Sequence, residues 1–250
     1  MTVLHVPYHL DEHLPDLDLL LKPDEVITAD LPSGDTWTRL AALDGLVADA
    51  VASAAGDGAC PVVVCGDCTT ALGTVAGLQR AGIDPGIVWF DAHGDVQTLE
   101  TTASGYLGGL PLRLLVGYRP ELIAARLGLR PVPEHKVMLV GARDLDPPEV
   151  AYLAEASIGR AEVAGLDAAA LPGGPLYVHV DLDVIDPADA PGLRYPSPGG
   201  PGAADVAGAL RMILGTGRAV AVTIACTWHP GHRAAARISP DLELALATAD

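Results

Sequence analysis

The chain has few aromatic residues and little positive charge. One phenylalanine, three tryptophans and six tyrosines make up 4% of its 250 residues. Large rings therefore cannot dominate the core, which must rest on Leu, Val, Ala and Ile. Lys and Arg number 15 against 32 Asp and Glu, a formal net charge of −17. Binding a phosphate backbone needs clustered cations, so this balance argues against nucleic acid as a partner. A negative field favours cations and cationic substrates, and in its simplest sense keeps the protein soluble. No apolar run approaches the roughly 20 residues of a membrane helix, which argues against a membrane partner. The start, Met-Thr-Val-Leu-His-Val-Pro, has neither the basic opening nor the apolar stretch of a signal peptide. Cys60, Cys65, Cys68 and Cys226 are then expected to be free thiols in a reducing cytoplasm. Half the residues are hydrophobic and 19% charged, enough for a sizeable core and against wholesale disorder.

Strand-like apolar runs alternate with helical patterns. Val3–Val6, Pro61–Val64, Gly86–Phe90, Lys136–Val140, Leu176–Val180 and Ala219–Ala225 read as strands, with Glu25–Thr28 and Ala161–Val163 as shorter candidates. Between them, Trp37–Ala54 carries Leu40, Leu43, Val47, Ala50, Val51 and Ala54 at helical spacing. Thr69–Ala81 reads as a helix capped by Thr69 and stopped by Gly82. Leu110–Val116, Glu121–Leu127, a helix opening at Asp146-Pro-Pro-Glu, Ala203–Leu214 and Asp241–Ala249 complete the set. Such alternation implies right-handed crossovers and a mostly parallel sheet covered on both faces, an α/β fold. No repeat or linker divides the chain, so residues 1–250 read as one domain. The stretches Asp91–Tyr106 and Asp186–Gly202 are long loops, which are usually functional.

Two acidic clusters follow two of these strands: Asp91, His93 and Asp95 after Gly86–Phe90, and Asp181, Asp183 and Asp186 after Leu176–Val180. Alternate residues of an extended segment point the same way, and ligands of open parallel sheets bind at the carboxyl ends of strands. Carboxylates converging in one crevice repel unless a cation neutralises them. Hard oxygen donors with one imidazole suit Mn²⁺, Mg²⁺, Fe²⁺ or Zn²⁺.

With Gly66-Asp67-Cys68-Thr69, Asp91-Ala-His93-Gly-Asp95, Thr101-Thr-Ala-Ser-Gly105 and Asp181-Leu-Asp183-Val-Ile-Asp186-Pro187 in this order, the chain resembles the ureohydrolase family of arginase, agmatinase and formimidoylglutamase. The resemblance implies a three-layer α/β/α arginase-like fold around a parallel sheet of about eight strands. It implies two metal ions, usually Mn²⁺, joined by a hydroxide that attacks the carbon of a guanidine or amidine. Carried over by position, Asp91 and Asp181 would bridge the ions, Cys68 and Asp95 would complete one shell, and His93 and Asp183 the other. Asp186 would support its loop. Asp95 and Asp181 thus count as catalytic, the partner is a small-molecule substrate, and a homo-oligomer is expected from the family's habit.

Three departures mark the substrate side. Cys68 stands where the family has a ligand histidine; a thiolate is softer and favours Zn²⁺, and a nearby cation would depress the thiol enough for it to ligate. The alternative is a small buried cysteine at a strand–helix turn. Tyr106 and Gly108 replace the asparagine and histidine of arginase-like members, leaving Tyr106 as a candidate substrate contact. Thr227 stands near the family's guanidinium-gripping glutamate, and the nearby His229 and His232 are candidate proton shuttles, with His229 the catalytic candidate. A modified arginine, such as a hydroxylated one, or an amidine then fits better than arginine. Two other readings compete: a non-catalytic metal- or ligand-binding relative, and a redox protein built on Cys65-Gly-Asp-Cys68.

Overall fold

The computed structural model describes residues 1–232 and 234–247. In chain order it contains β1 (Thr2–Val6), a two-stranded antiparallel hairpin of β2 (Tyr8–His9) and β3 (Glu12–His13), β4 (Glu25–Val26), α1 (Thr36–Gly56), β5 (Pro61–Cys65), α2 (Ala71–Arg80) and β6 (Gly86–Phe90). The chain continues through α3 (Pro111–Leu115), α4 (Ala124–Leu127), β7 (Val137–Val140), α5 (Pro147–Glu155), β8 (Gly159–Ala161), β9 (Leu176–Asp181), α6 (Ala203–Leu214), β10 (Ala219–Ala225) and α7 (Ala234–Leu246). Eight strands form one sheet in the order β4-β1-β5-β10-β9-β6-β7-β8. Every pairing in it is parallel, so the expected sheet and three-layer fold are present.

The central strands are buried on both sides because they are largely apolar and neighbouring residues face opposite ways. Val63, Cys65, Ile87, Trp89 and Leu139 pack with Leu43 and Val47 of α1 and Leu72 and Val75 of α2. Val62, Val64, Val88, Phe90 and Val178 pack with Leu210 and Ile213 of α6 and Ile238 and Leu242 of α7.

Several boundaries differ from the sequence reading. The helix expected from Thr69 begins at Ala71, after a short 3₁₀ turn whose cap is Asp67, accepting from the Thr69 N–H. The edge strand lies at Gly159–Ala161, two residues early, because Val163 turns into a 3₁₀ segment. The last helix, expected from Asp241, starts at Ala234 and runs through Pro240; its expected end at Thr248 and Ala249 lies outside the described residues. The hairpin β2–β3 had no counterpart in the sequence reading.

One buried acid is unexplained by the core. Asp44 on α1 is 1% exposed, and neither carboxylate oxygen has a hydrogen-bond partner. Burial, then the charge of Asp67, pushes its acid well above the ordinary value of 3.8. The folded state thus keeps a proton that the unfolded chain releases, and stability falls as pH rises above that ordinary value. Asp44→Asn should be more stable than the wild type by about 1–3 kcal/mol at pH 8. The difference should shrink toward pH 4, measured as urea unfolding curves; equal curves at both pH values would refute the neutral-acid account.

Candidate metal centre

The register of the sheet sets the centre. In the parallel pair β6–β9, Phe90 lies opposite Val180, so the next residues, Asp91 and Asp181, stand at one level on adjacent strands. Ala225 of β10 pairs with both Cys65 and Asp181. That brings the following residues, Cys68 and Thr227, to the same carboxyl edge.

Among the described residues two groups of donors lie close enough to share an ion. Cys68, Asp91 and Asp181 form one, and Asp91, His93 and Asp183 the other, the donor atoms within each group lying within 4.8 Å. Asp91 belongs to both, whereas Asp181, expected to bridge as well, belongs only to the first. Main-chain and ring donors hold these carboxylates. Asp91 accepts from His93 N–H (2.7 Å) and Trp89 Nε1–H (3.2 Å), and Asp183 accepts from Ala92 N–H (3.1 Å). Asp181 accepts from Asp183 N–H (2.9 Å) and from the Thr227 hydroxyl (2.5 Å). The Cys68 thiol donates to Asp181 (2.9 Å), and His93 Nδ1 lies 3.0 Å from Asp183 Oδ2 and 3.3 Å from Asp91 Oδ1.

The site carries more negative charge than its surroundings neutralise. Burial, then the Asp91 and Asp181 charges, lifts the Asp95 acid well above its ordinary range. Burial and the Asp183 and Asp91 charges do the same to Asp181. Asp183 is raised to about 7 by burial and by Asp91. His93 goes the other way: burial opposes its charge, but the bonds to Asp183 and Asp91 outweigh it and raise the ring to about 12. Burial and the Asp181 charge likewise keep Cys68 a thiol. Protons are thus held where a cation would displace them. Asp95, in the left-handed region at φ 53°, supports this fit: its Oδ2 is buried without any partner. The donor set suits divalent cations.

A cavity of about 130 Å³ opens over these groups. Cys68, His93, Asp95, Asp181, Asp183, Tyr106 and Thr227 all line it. His229 does not; it is exposed beyond β10, with its backbone N–H on the Gly192 carbonyl, and His232 is likewise exposed. Asp186 is outside too, and its carboxylate accepts from Ala188 and Gly199 N–H groups, bracing the loop. Cys65 and Cys68 are free and face different partners, Cys65 donating to the Asp67 carbonyl at 3.2 Å. Burial raises both thiols, the opposite of a reactive redox pair.

Other residues join the site without having been singled out in the sequence. His179 is fully buried, stacks on Trp89 at 3.7 Å and sets Nε2 3.2 Å from Cys68 Sγ, while Tyr177 Oη meets its Nδ1 at 3.2 Å. Burial lowers its pKa to about 3, so it is neutral. Its signal was readable: Tyr177, His179 and Asp181 alternate along one strand and share a face. Arg143 ties the acidic loop down by donating to the Val184 (3.0 Å) and Ser197 (2.6 Å) carbonyls. Asp146 and Glu149 add two carboxylates to the cavity wall, with Glu149 fixed by the Asp146 and Val96 N–H groups.

Such donors at the carboxyl edge of a parallel sheet define a three-layer α/β/α protein with a candidate divalent-metal site. The sequence profile of the arginase family matches residues 29–227, and the chain belongs to that family. It is 36% identical over 154 residues to the arginase of Bacillus subtilis strain 168, a match covering 56% of this chain and 52% of that protein. The chain thus spans about half the length of the curated relatives it matches. Its fold superposes on a crystal structure of arginase from the same strain with a TM-score of 0.82 at 25% identity, covering 98% of this chain and 97% of the other. Formimidoylglutamase from Bacillus subtilis shares the fold, with a TM-score of 0.71 at 16% identity over 99% and 85% of the two chains.

Proposed function

We propose that this protein is a binuclear-metal hydrolase that cleaves a C–N bond in a guanidine or amidine. The observation that carries the reading is the pair of donor groups joined through Asp91. Cys68, Asp91, Asp95 and Asp181 would hold one ion, and Asp91, His93 and Asp183 the other, with Mn²⁺ the family expectation and Zn²⁺ favoured by the thiol. Bound there, two divalent cations supply Lewis acidity and make water nucleophilic at neutral pH.

The chain's own residues would bind and orient the substrate. Beyond the metal donors, Asp146 and Glu149 line the cavity, and among the described residues no Lys or Arg does, which favours a planar cation over an anion. Tyr106 and Tyr195, their ring centroids 4.8 Å apart, wall one side. Thr227, near the position of the family's charged clamp, commits its hydroxyl to Asp181. It orients a metal ligand and leaves the far side of the guanidine without a fixed carboxylate. That supports a modified guanidine, such as a hydroxylated arginine, or an amidine, ahead of arginine itself.

The test combines metal analysis with product release. Reconstituted protein should carry one to two divalent ions per chain, and urea release across arginine, agmatine, hydroxyarginine and guanidino acids should favour the modified substrates. Protein that takes up no metal refutes the centre. Loaded protein that cleaves none of these, nor an amidine, would be a metal-binding relative without this activity.

A further inference from the structure

In the loop after β6 the Tyr106 ring packs against Gly108. A Cβ on Gly108 would overlap the Tyr106 ring and its hydroxyl. The phenol lies over the loop, lines the cavity beside Cys68, Asp181 and Thr227, and meets a residue from the far end of the chain. His9 stacks on it, with ring centroids 5.7 Å apart and planes 14° from parallel, and His9 Nε2 is 3.4 Å from Tyr106 Oη.

The other ring nitrogen fixes the direction of that bond. His9 Nδ1 is 3.1 Å from the Gly66 carbonyl oxygen. A carbonyl only accepts, so Nδ1 carries the proton of the neutral ring and Nε2 presents its lone pair to the phenol. The hairpin is built for this placement. Leu10 N–H donates to Asp67 Oδ2 at 2.6 Å, and Gly66 has no Cβ, which would otherwise overlap the Tyr8 carbonyl. His9 itself is 9% exposed, so one edge still meets solvent. Around the pair, Tyr195 packs on Tyr106, and Asp67 is occupied by the Leu10 and Thr69 N–H groups.

We propose that Tyr106 and His9 form the proton-transfer pair of this active site, serving the departing nitrogen; the inference rests on the hydrolysis proposed above. When the tetrahedral adduct collapses, the C–N electron pair goes to nitrogen and Tyr106 Oη gives that nitrogen its proton. Before collapse the neutral resting His9 takes a proton from solvent at Nε2, which frees the phenol O–H to face the substrate. In the collapse step Nε2 passes that proton to Tyr106 Oη, so no tyrosinate accumulates and His9 returns to its neutral resting form. The adduct's hydroxyl sheds one proton to solvent as the product carbonyl forms, replacing the one His9 took, which closes the count.

Tyr106→Phe keeps the ring over Gly108 and removes only the hydroxyl; His9→Gln removes the imidazole. Each should lower kcat by about 10²–10⁴-fold with KM within twofold and metal content unchanged. The double variant should be no slower than the slower single one, as expected of residues acting as a unit. Substrates with less basic leaving amines should recover most of the lost rate, which a packing defect would not produce. Nitrogen NMR of the resting protein should find His9 protonated at Nδ1, with its Nε2 signal moved by Tyr106→Phe. A wild-type protein that cleaves substrate while both variants keep its kcat overturns the pair and leaves the hydrolase reading intact. A proton on Nε2 of neutral His9 overturns the pair whatever the turnover. Loss of all wild-type turnover instead removes the hydrolysis, and the pair's role with it.

Discussion

Asp91→Asn should empty both cation positions and reduce turnover by roughly 10³-fold or more, the scale of several kcal/mol of charge stabilisation. The reason is the sharing of one carboxylate. Asp91 supplies donor atoms to the Cys68–Asp181 group and to the His93–Asp183 group, so a neutral amide there weakens two sites with one substitution. An amide oxygen still accepts from the His93 N–H as Asp91 does, although the amide nitrogen cannot accept from Trp89 Nε1–H as the second carboxylate oxygen does. Metal analysis after dialysis and far-ultraviolet circular dichroism would separate ion loss from unfolding. Asp186→Asn is the matching control: that carboxylate braces its own loop, accepting from Ala188 and Gly199 N–H, and should leave metal content intact. Retention of two ions by Asp91→Asn would refute the shared-ligand assignment.

Cys68→His should shift metal preference from Zn²⁺ toward Mn²⁺ by an order of magnitude or more, since the soft thiolate is the one ligand that discriminates strongly between them. Cys68 lies between Asp181 at 2.9 Å and His179 at 3.2 Å, so the bulkier imidazole needs room. Cys68→Ser provides the small comparison and should lose Zn²⁺ preference without crowding. Competitive loading with both metals reads the preference. The cobalt-substituted wild type should show a sulfur-to-metal absorption band that both variants lack. An unchanged preference with no such band would put the thiol outside the shell.

Strands β1, β5, β6, β7 and β9 were legible because each is a short, mostly apolar run closed by Asp, Gly or Pro. The clusters at Asp91 and Asp181 were legible because alternation puts ligand atoms on one side of a strand end. What escaped was built from pairs with no local pattern. The β2–β3 hairpin has two-residue strands and turns through Leu10 at φ 53° without a glycine, so no turn signature marks it. His9 and Tyr106 are 97 positions apart, and only the tertiary fold relates them. Helix α7 passes Pro240, a residue that stops most helices by removing one main-chain bond. His229 drew attention as an imidazole near a core strand, yet a strand's last residues leave the sheet in a direction that composition does not specify.

The sheet order has a kinetic corollary. Its four central strands come from residues 61–65, 219–225, 176–181 and 86–90, so the middle of the molecule is stitched from distant stretches. Long-range pairings of this kind form slowly because loop closure precedes any gain in contacts. Capture of the proposed ions, needing donors on both sides of that seam, would consequently be a late event in maturation, and a growing chain cannot present the complete pocket until residue 227 has been joined.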